Sequence, residues 1–311
     1  MKVLFQNRAE SAWIGGDYIQ MKRTAEELAK LGLDIEVIET PLLNPALRVR
    51  EFDVIHSFNF SMVWAKYAAI MAGIHEKPLV YSMIYHESEE YIPYSQQQVM
   101  ADIAKALIFL NEGELERVKR HLNIDDKKVY FVKNGIDKFW FTKQKVKAKE
   151  KFILTVGRVE PSKGQLATAK ACKELGLKYI CAGGRHDEKY CKLVEAEGGI
   201  IIGPQKKEEL IKLYATCAVM VLASRAEIMS LVVMEAMAQN ARVVLTDHSE
   251  WKPKGVSYCQ WDDVKSIKRA IEDTFTSYLE EQPSEQVKFY LWENVAKQIK
   301  EIYETICKQT T

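Results

Sequence analysis

"ELIKLYATCAVMVLASRAEIMSLVVMEAMAQNARVV", residues 209–244, predicts a helix, a strand, a loop, a second helix and a second strand, in that order. The first of these strands, "AVMVLAS" at 218–224, is apolar over almost its whole length. Such strands are typical of a parallel sheet that is covered by helices on both faces. The same alternation of strand and helix extends from this stretch in both directions, which predicts an α/β fold.

The alternation forms two blocks along the chain. Between them, "KFWFTKQKVKAKEK" (138–151) is lysine-rich and lacks an apolar period. We interpret it as an interdomain linker, with a solvated loop inside one domain as the alternative. The predicted domains are therefore two Rossmann-like units, 1–142 and 151–289. The predicted strands include 2–6, 34–39, 52–58, 78–87, 106–111, 129–137, 152–158, 178–184, 199–204 and 241–246, and the last predicted helices are 262–281 and 284–308.

The composition disfavours several classes of protein. The 311 residues carry 44 Lys and Arg against 43 Asp and Glu, so a formal charge of +1 gives no general attraction to nucleic acid. The first residues show no signal-peptide pattern, and no apolar run reaches the roughly 18 residues of a membrane span. The six cysteines form no CxxC pair, which favours free thiols and disfavours a metal site. We therefore expect a cytoplasmic protein without a bound metal.

Loops that follow the strands are the candidate binding segments, because ligands of parallel α/β sheets bind beyond the carboxyl ends of the strands. Gly15 and Gly16 open the first predicted helix, where bare backbone can approach an anion; a plain tight turn would explain them equally well. Arg158 and Lys163 follow a strand in "VGRVEPSKGQ". Two cations in one loop can hold a diphosphate, or they can simply face solvent.

Two glutamates eight positions apart mark the loop after "AVMVLAS". Glu227 lies at the end of this loop, and Glu235 lies inside an apolar helix. A carboxylate in such surroundings is costly unless it is paired. Glu235 therefore either accepts hydrogen bonds from a diol such as a ribose or faces water on a polar stripe. Ser230 is the predicted N-cap of the helix, so the amides of Leu231 and Val232 could face an anion.

These motifs together resemble a known family. Glu227 and Glu235 match the E-x7-E signature of retaining glycosyltransferases with the GT-B fold, most similar to glycosyltransferase family 4 (glycosyl transferases group 1). "TVGRVEPSKG" resembles the G-R…K-G loop of that family, and 209–244 resembles its helix–strand–loop–helix block. The resemblance covers almost the whole chain. It implies two Rossmann-like domains facing across a cleft, with a last helix at about 290–311 that crosses back onto the first domain.

The resemblance also implies roles for individual residues. Glu235 would bind the ribose of a nucleotide sugar, Glu227 the donor sugar, and Arg158 with Lys163 the diphosphate. The other implied contacts are Ser230, Leu231 and Val232 with the diphosphate, Gly15 and Gly16 with the donor, Gly203 near the base, and His86 near the transferring sugar. One departure concerns Ile228-Met229-Ser230, which stand where the family has Gly-Phe-Gly. This replacement bears on the shape of the donor pocket. His56 is interpreted as structural.

The implied activity is the transfer of a hexose, with UDP-glucose or GDP-mannose as the commonest donors of the family. The implied acceptor is a hydroxyl of a glycan or of a lipid-linked molecule, and the reaction retains the anomeric configuration. Such enzymes generally need no metal, and no DxD motif stands in a strand-end loop. The alternatives are an epimerase or a phosphorylase of the same fold, and a non-catalytic nucleotide-sugar binder. A weak peripheral membrane contact through the basic segments also stays open, against a simple solvated face.

Overall fold

The structure is a computed structural model that describes residues 1–7, 15–38, 48–85, 87, 90–144, 152–277 and 281–308. Its strands are β1 (Lys2–Gln6), β2 (Asp34–Ile38), β3 (Val54–Phe58), β4 (Leu79–Ser82), β5 (Ala106–Phe109), β6 (Val129–Phe131), β7 (Phe152–Val156), β8 (Lys178–Ala182), β9 (Gly199–Ile201), β10 (Val219–Leu222), β11 (Val243–Thr246) and β12 (Ser257–Cys259). Its helices are α1 (Gly16–Lys30), α2 (Val63–His75), α3 (Tyr94–Ile103), α4 (Glu112–Lys119), α5 (Gln165–Glu174), α6 (Glu188–Ala196), α7 (Lys207–Thr216), α8 (Leu231–Ala238), α9 (Val264–Thr276), α10 (Pro283–Val287) and α11 (Trp292–Lys308).

The chain divides into two compact units. The first unit combines Met1–Gly135 with Trp292–Thr311, and the second unit is the continuous segment Ile136–Leu291. Each unit contains a six-stranded sheet in which every pair of neighbouring strands is parallel. The prediction of an α/β protein with two Rossmann-like sheets is therefore confirmed.

In the first unit the strand order is β2-β1-β3-β4-β5-β6. Helices α1 and α11 pack against each other in this unit. The His56 ring on β3 is fully buried, with Nδ1 2.5 Å from the Tyr303 hydroxyl of α11 and Nε2 3.0 Å from the Ser82 hydroxyl of β4. Burial lowers the pKa of His56 to about 3, so the ring is neutral in the folded state. These contacts give His56 the structural role that the sequence analysis expected.

In the second unit the strand order is β12-β11-β10-β7-β8-β9. Helices α5, α6 and α9 share a buried apolar cluster with alternate residues of the strands, among them Ile153, Tyr179 and Val221. Helices α7, α8 and α10 pack together as a second layer. No helix in the described part of either unit is long and apolar enough to cross a membrane.

The interpretation of 138–151 as a linker is wrong for its first residues. Lys138–Phe141 form a short 3-10 helix of the second unit, and Trp140 is buried in it. The Trp140 ring meets the Tyr214 ring of α7 edge to face, with 6.0 Å between centroids. Gln239 at the end of α8 donates to the Trp140 and Thr142 carbonyls. The lysine-rich composition of this segment gave no sign that Trp140 is a core residue. Residues 145–151 lie outside the described residues.

The C-terminal helices also differ from the prediction. The single helix predicted at 284–308 is two helices, α10 and α11, with an interruption between them. There the Ile136 N–H donates to the Tyr290 carbonyl at 2.7 Å, and Leu291 forms a parallel bridge with Ile136. This pairing requires extended backbone and therefore ends the helix. The predicted helix 262–281 stops at Thr276, and strand β12 was not predicted.

Candidate active site in the second unit

Strands β7 and β10 are neighbours at the centre of the second sheet, and the chain continues outward from them in opposite directions. Such a topological switch point leaves a crevice beyond the carboxyl ends of the two strands, where α/β proteins bind their ligands. The loop after β7 contains Arg158 and Lys163, and the loop after β10 contains Glu227. The sheet order therefore brings the predicted cations and the first predicted glutamate to one place.

The loop after β7 begins with an extended segment centred on Val159. The Val159 side chain is buried, its N–H donates to the Gly184 carbonyl at 2.9 Å, and its carbonyl accepts from the N–H groups of His186 and Asp187. Side chains alternate in extended backbone, so Arg158 and Glu160 lie together on the side opposite Val159. The Arg158 Nη2 accordingly donates to Glu160 Oε1 at 3.0 Å.

Gly164 fixes the second half of this loop. Pro161–Lys163 form one turn of 3-10 helix, and Gly164 follows with φ of +67°, a left-handed conformation that favours glycine. A Cβ at Gly164 would lie 2.2 Å from the Ala223 carbonyl oxygen, next to the end of β10. The loop therefore approaches the backbone of the neighbouring strand closely, which places Lys163 beside the second loop.

Lys163 and Glu227 form an ion pair between the two loops. The Lys163 Nζ lies 2.8 Å from Glu227 Oε1, and the two side chains are only 23% and 12% exposed. The Glu227 backbone is held as well, because its carbonyl accepts from the Glu250 N–H at 2.9 Å. A partly buried pair of this kind costs desolvation free energy, so geometry and function explain it better than stability does.

Helix α8 starts at the same crevice. Ser230 occupies the N-cap position, as predicted, but its side chain makes no capping hydrogen bond. Leu231 and Val232 are the first helical residues and are half-buried. The first N–H groups of a helix carry a partial positive charge, so this end of α8 is suited to an anion.

Glu235 lies one turn further along α8 and is partly buried. The Tyr214 hydroxyl of α7 donates to Glu235 Oε2 at 3.1 Å. Burial nevertheless raises the pKa of the Glu235 carboxyl to about 8; Tyr214 and Lys207 oppose the shift, and the charge of Asp137 adds to it. Lys207 itself pairs with Asp137 at 3.0 Å. Tyr214 is a contact of the partly buried Glu235 that the sequence analysis missed.

The comparison with known families agrees with this geometry. Residues 137–252, which include both loops and the whole of α8, match the family model for glycosyl transferases group 1. The second unit is a group 1 glycosyl transferase domain. The match ends near Trp251, whose N–H donates to the Ile228 carbonyl beside Glu227.

Individual relatives extend the similarity of this group 1 domain to the rest of the chain. A D-inositol 3-phosphate glycosyltransferase of Corynebacterium urealyticum is 26% identical over 261 residues, which cover 71% of this chain and 61% of the length of that relative. The fold resembles Anabaena Alr3699/HepE solved in complex with UDP, with a TM-score of 0.72, 17% identity, and 99% and 98% of the two chains covered. It also resembles sucrose-phosphate synthase from Thermosynechococcus elongatus, with a TM-score of 0.81, 15% identity and 99% of each chain covered.

The remaining predicted site residues do not all lie in the group 1 domain. Gly203 follows β9 with φ of +73° and open space around the position of a Cβ. Gly15 and Gly16 lie in the first unit, at the N-cap and the first residue of α1. His86 falls outside the described residues. Each implied role, including those of Arg158, Lys163, Glu227 and Glu235, stays a prediction.

Proposed function

We propose that this protein transfers a hexose from a nucleotide-diphosphate sugar to a hydroxyl group of an acceptor, with retention at the anomeric carbon and without a metal ion. The observation that carries the proposal is the cation pair at the switch point of the group 1 domain. Arg158 and Lys163 leave one loop, each is held by a carboxylate, and α8 starts beside them. This arrangement suits a diphosphate.

The chemistry that follows is stabilisation of a leaving group. When the bond between the sugar and the diphosphate breaks, negative charge grows on the diphosphate while the sugar becomes oxocarbenium-like. Arg158, Lys163 and the first amides of α8 would stabilise that charge because they are already oriented before the reaction. Glu227 orients Lys163 in this scheme, besides any contact it makes with the donor sugar.

Glu235 would hold the nucleoside end of the donor. Its carboxyl lies one turn after the first amides of α8, and the Tyr214 hydroxyl donates to one of its oxygens at 3.1 Å. A carboxyl in this position can accept hydrogen bonds from the two hydroxyls of a ribose. Since those bonds favour the ionised form, donor binding should lower the pKa of Glu235 from its value of about 8.

The identities of donor and acceptor are further parts of the proposal. UDP-glucose is the first donor to test, because UDP is the nucleotide named in the HepE complex, and GDP-mannose is the second. A phosphorylated polyol is one acceptor to test, since the curated relative is a D-inositol 3-phosphate glycosyltransferase; a glycan and a lipid-linked hydroxyl are the others. The cysteines of the described residues are free thiols, which suits a reducing compartment such as the cytoplasm.

The test is a donor panel with a matched pair of variants. Binding and slow hydrolysis of UDP-, GDP- and ADP-sugars are measured with a chelator present, for wild type, Glu235→Ala and Glu174→Ala. Glu174 ends α5 and pairs with Lys268, so it is a control for loss of a carboxylate in the same unit. We expect one donor to bind to wild type and to the control, and Glu235→Ala to lose at least tenfold in affinity. If Glu235→Ala binds as tightly as wild type, the site assignment fails.

A non-catalytic nucleotide-sugar binder is the second candidate. It is motivated by Ile228-Met229-Ser230, which stand where the family has Gly-Phe-Gly. The Met229 side chain is buried. This candidate predicts tight donor binding without release of nucleotide, even with acceptors present. The transferase predicts release that increases with the right acceptor, and a product whose anomeric configuration by NMR equals that of the donor.

A further inference from the structure

Glu160 stands beside the proposed diphosphate position, although a carboxylate repels a diphosphate. Its side chain is 14% exposed and belongs to the same loop as Arg158 and Lys163. Neither the E-x7-E signature nor the G-R…K-G loop assigns it a role. A negative charge at this point requires a reason other than charge attraction.

The contacts of Glu160 supply that reason. Its Oε1 accepts from Arg158 Nη2 at 3.0 Å and from the Ser162 hydroxyl at 2.7 Å. Its backbone carbonyl accepts from the Lys163 N–H at 3.0 Å. Glu160 therefore connects the guanidinium on one side of the loop with the turn that carries Lys163 on the other.

The Arg158 backbone is fixed independently of Glu160. Its carbonyl accepts from Gln165 Nε2 at 2.7 Å, and the neighbouring Gly157 N–H donates to the Ala182 carbonyl at 3.0 Å. Loss of the Glu160 carboxylate would thus remove this hydrogen bond from the Arg158 guanidinium while the Arg158 backbone stays in place. An arginine side chain with fewer contacts samples more rotamers, and a planar guanidinium binds phosphate well only in the correct orientation.

We propose that Glu160 is a positioning residue that orients Arg158 toward the terminal phosphate of a nucleoside diphosphate group. This inference rests on the proposed function and adds to it the residue that prepares the Arg158 guanidinium before the donor binds. The gain in orientation exceeds the repulsion between the Glu160 carboxylate and the bound diphosphate. The His186 ring is a further neighbour of this carboxylate, with its Nε2 3.8 Å from Glu160 Oε2.

The test compares nucleoside diphosphate with monophosphate, because only the terminal phosphate should depend on Glu160. Dissociation constants are measured by calorimetry for two pairs of nucleotides, UDP with UMP and GDP with GMP. The proteins compared are wild type, Arg158→Ala, Glu160→Ala, Glu160→Gln and the double alanine variant. The readout is the ratio of the monophosphate constant to the diphosphate constant. Monophosphate affinity and the thermal midpoint show whether each variant is folded.

We expect Arg158→Ala to lower this ratio about tenfold and Glu160→Ala to lower it about three- to fivefold. Glu160→Gln should restore part of the loss, since its amide oxygen still accepts from Arg158. The double variant should match Arg158→Ala, because Glu160 acts only through that residue. Glu160→Asp is a second check, since its shorter side chain should lower the ratio although the charge is kept.

Two outcomes separate the inference from the proposed function. If Arg158→Ala lowers the ratio and Glu160→Ala leaves it unchanged or raises it, the positioning role is overturned and the proposed function stands. If Arg158→Ala leaves the ratio of a bound nucleotide unchanged, the diphosphate assignment itself is overturned. A double variant clearly weaker than Arg158→Ala would show that Glu160 acts on more than Arg158, which also overturns the inference.

Discussion

Glu235→Gln should stabilise the second unit at neutral pH and have little effect at acid pH. Desolvation raises the pKa of the partly buried Glu235 carboxyl from 4.5 to about 8 in the folded state. The folded state therefore binds this proton more tightly than the unfolded state does. The stability that comes from the neutral carboxyl is fully present below about pH 4.5, and it is lost as the pH rises through about 8.

The size of the effect follows from the pH range between the two pKa values of Glu235, 4.5 and about 8. Within it, each pH unit changes the free energy of unfolding by about 1.4 kcal/mol. Between pH 5.5 and 7.5 the wild type should lose about 2 to 3 kcal/mol through this one group. Glutamine has almost the same shape, can still accept from the Tyr214 hydroxyl, and does not ionise. The stability difference between Glu235→Gln and wild type should therefore grow by that amount across the same two pH units.

The assay is denaturant unfolding at pH 5.5, 6.5 and 7.5, followed by tryptophan fluorescence, because Trp140 and Trp251 are buried in the second unit. Glu174→Gln is the control, since Glu174 is paired near the surface with Lys268. A variant-minus-wild-type difference that stays constant with pH would refute the reasoning. The proposed function adds that the same variant should bind the donor less tightly, so Glu235 would be retained at the expense of stability.

Three further outcomes are expected. Lys163→Met should weaken binding of a nucleoside diphosphate at least tenfold. Lys173→Met, which removes an exposed lysine paired with Glu197, should leave this binding unchanged. Equal effects of the two variants on the dissociation constant would contradict the proposed site. Gly164→Ala should lower the free energy of unfolding by about 2 to 4 kcal/mol, because it adds a clash with the Ala223 carbonyl to the strain of a left-handed backbone. Gly176→Ala, with φ of +65° and no close contact, should lower it by only about 1 kcal/mol. Similar losses in denaturant unfolding would contradict the clash. The lowered pKa of His56 predicts that its contribution to stability is complete above about pH 6.5 and falls by about 1.4 kcal/mol per pH unit as the pH drops toward 3. The free energy of unfolding of His56→Gln should therefore depend less on pH in this range than that of wild type. Parallel curves for the two proteins would contradict this prediction.

The sheets were predictable because most core strands are short and largely apolar runs. Strand β10 is buried at all four positions, and its sequence shows this without any tertiary information. The interruption before α11 was not predictable in the same way. It depends on pairing between Leu291 and Ile136, two residues that are distant in sequence. Trp140 likewise packs on Tyr214, a residue that is distant in sequence.

The candidate site was predictable in its residues and not in its contacts. Strand-end loops and the family resemblance named Arg158, Lys163 and Glu227 from the sequence. The ion pair between Lys163 and Glu227 depends on β7 and β10 being neighbours, which no local pattern specifies. Glu160 could have been found, since a residue two positions from Arg158 in extended backbone lies on the same side.

The first unit is assembled from two separate parts of the chain. Its sheet lies before the second unit in the sequence, and α11 lies after it. The bond between His56 and Tyr303 accordingly joins residues 247 positions apart. Phe5 and His56 lie on one face of β1 and β3, and α11 packs on His56. During translation this face stays uncovered until α11 is synthesised, which happens only after all of the second unit has emerged from the ribosome. The domain that is synthesised first is thus the last to be finished, and its uncovered aromatic face is where chaperones would be needed.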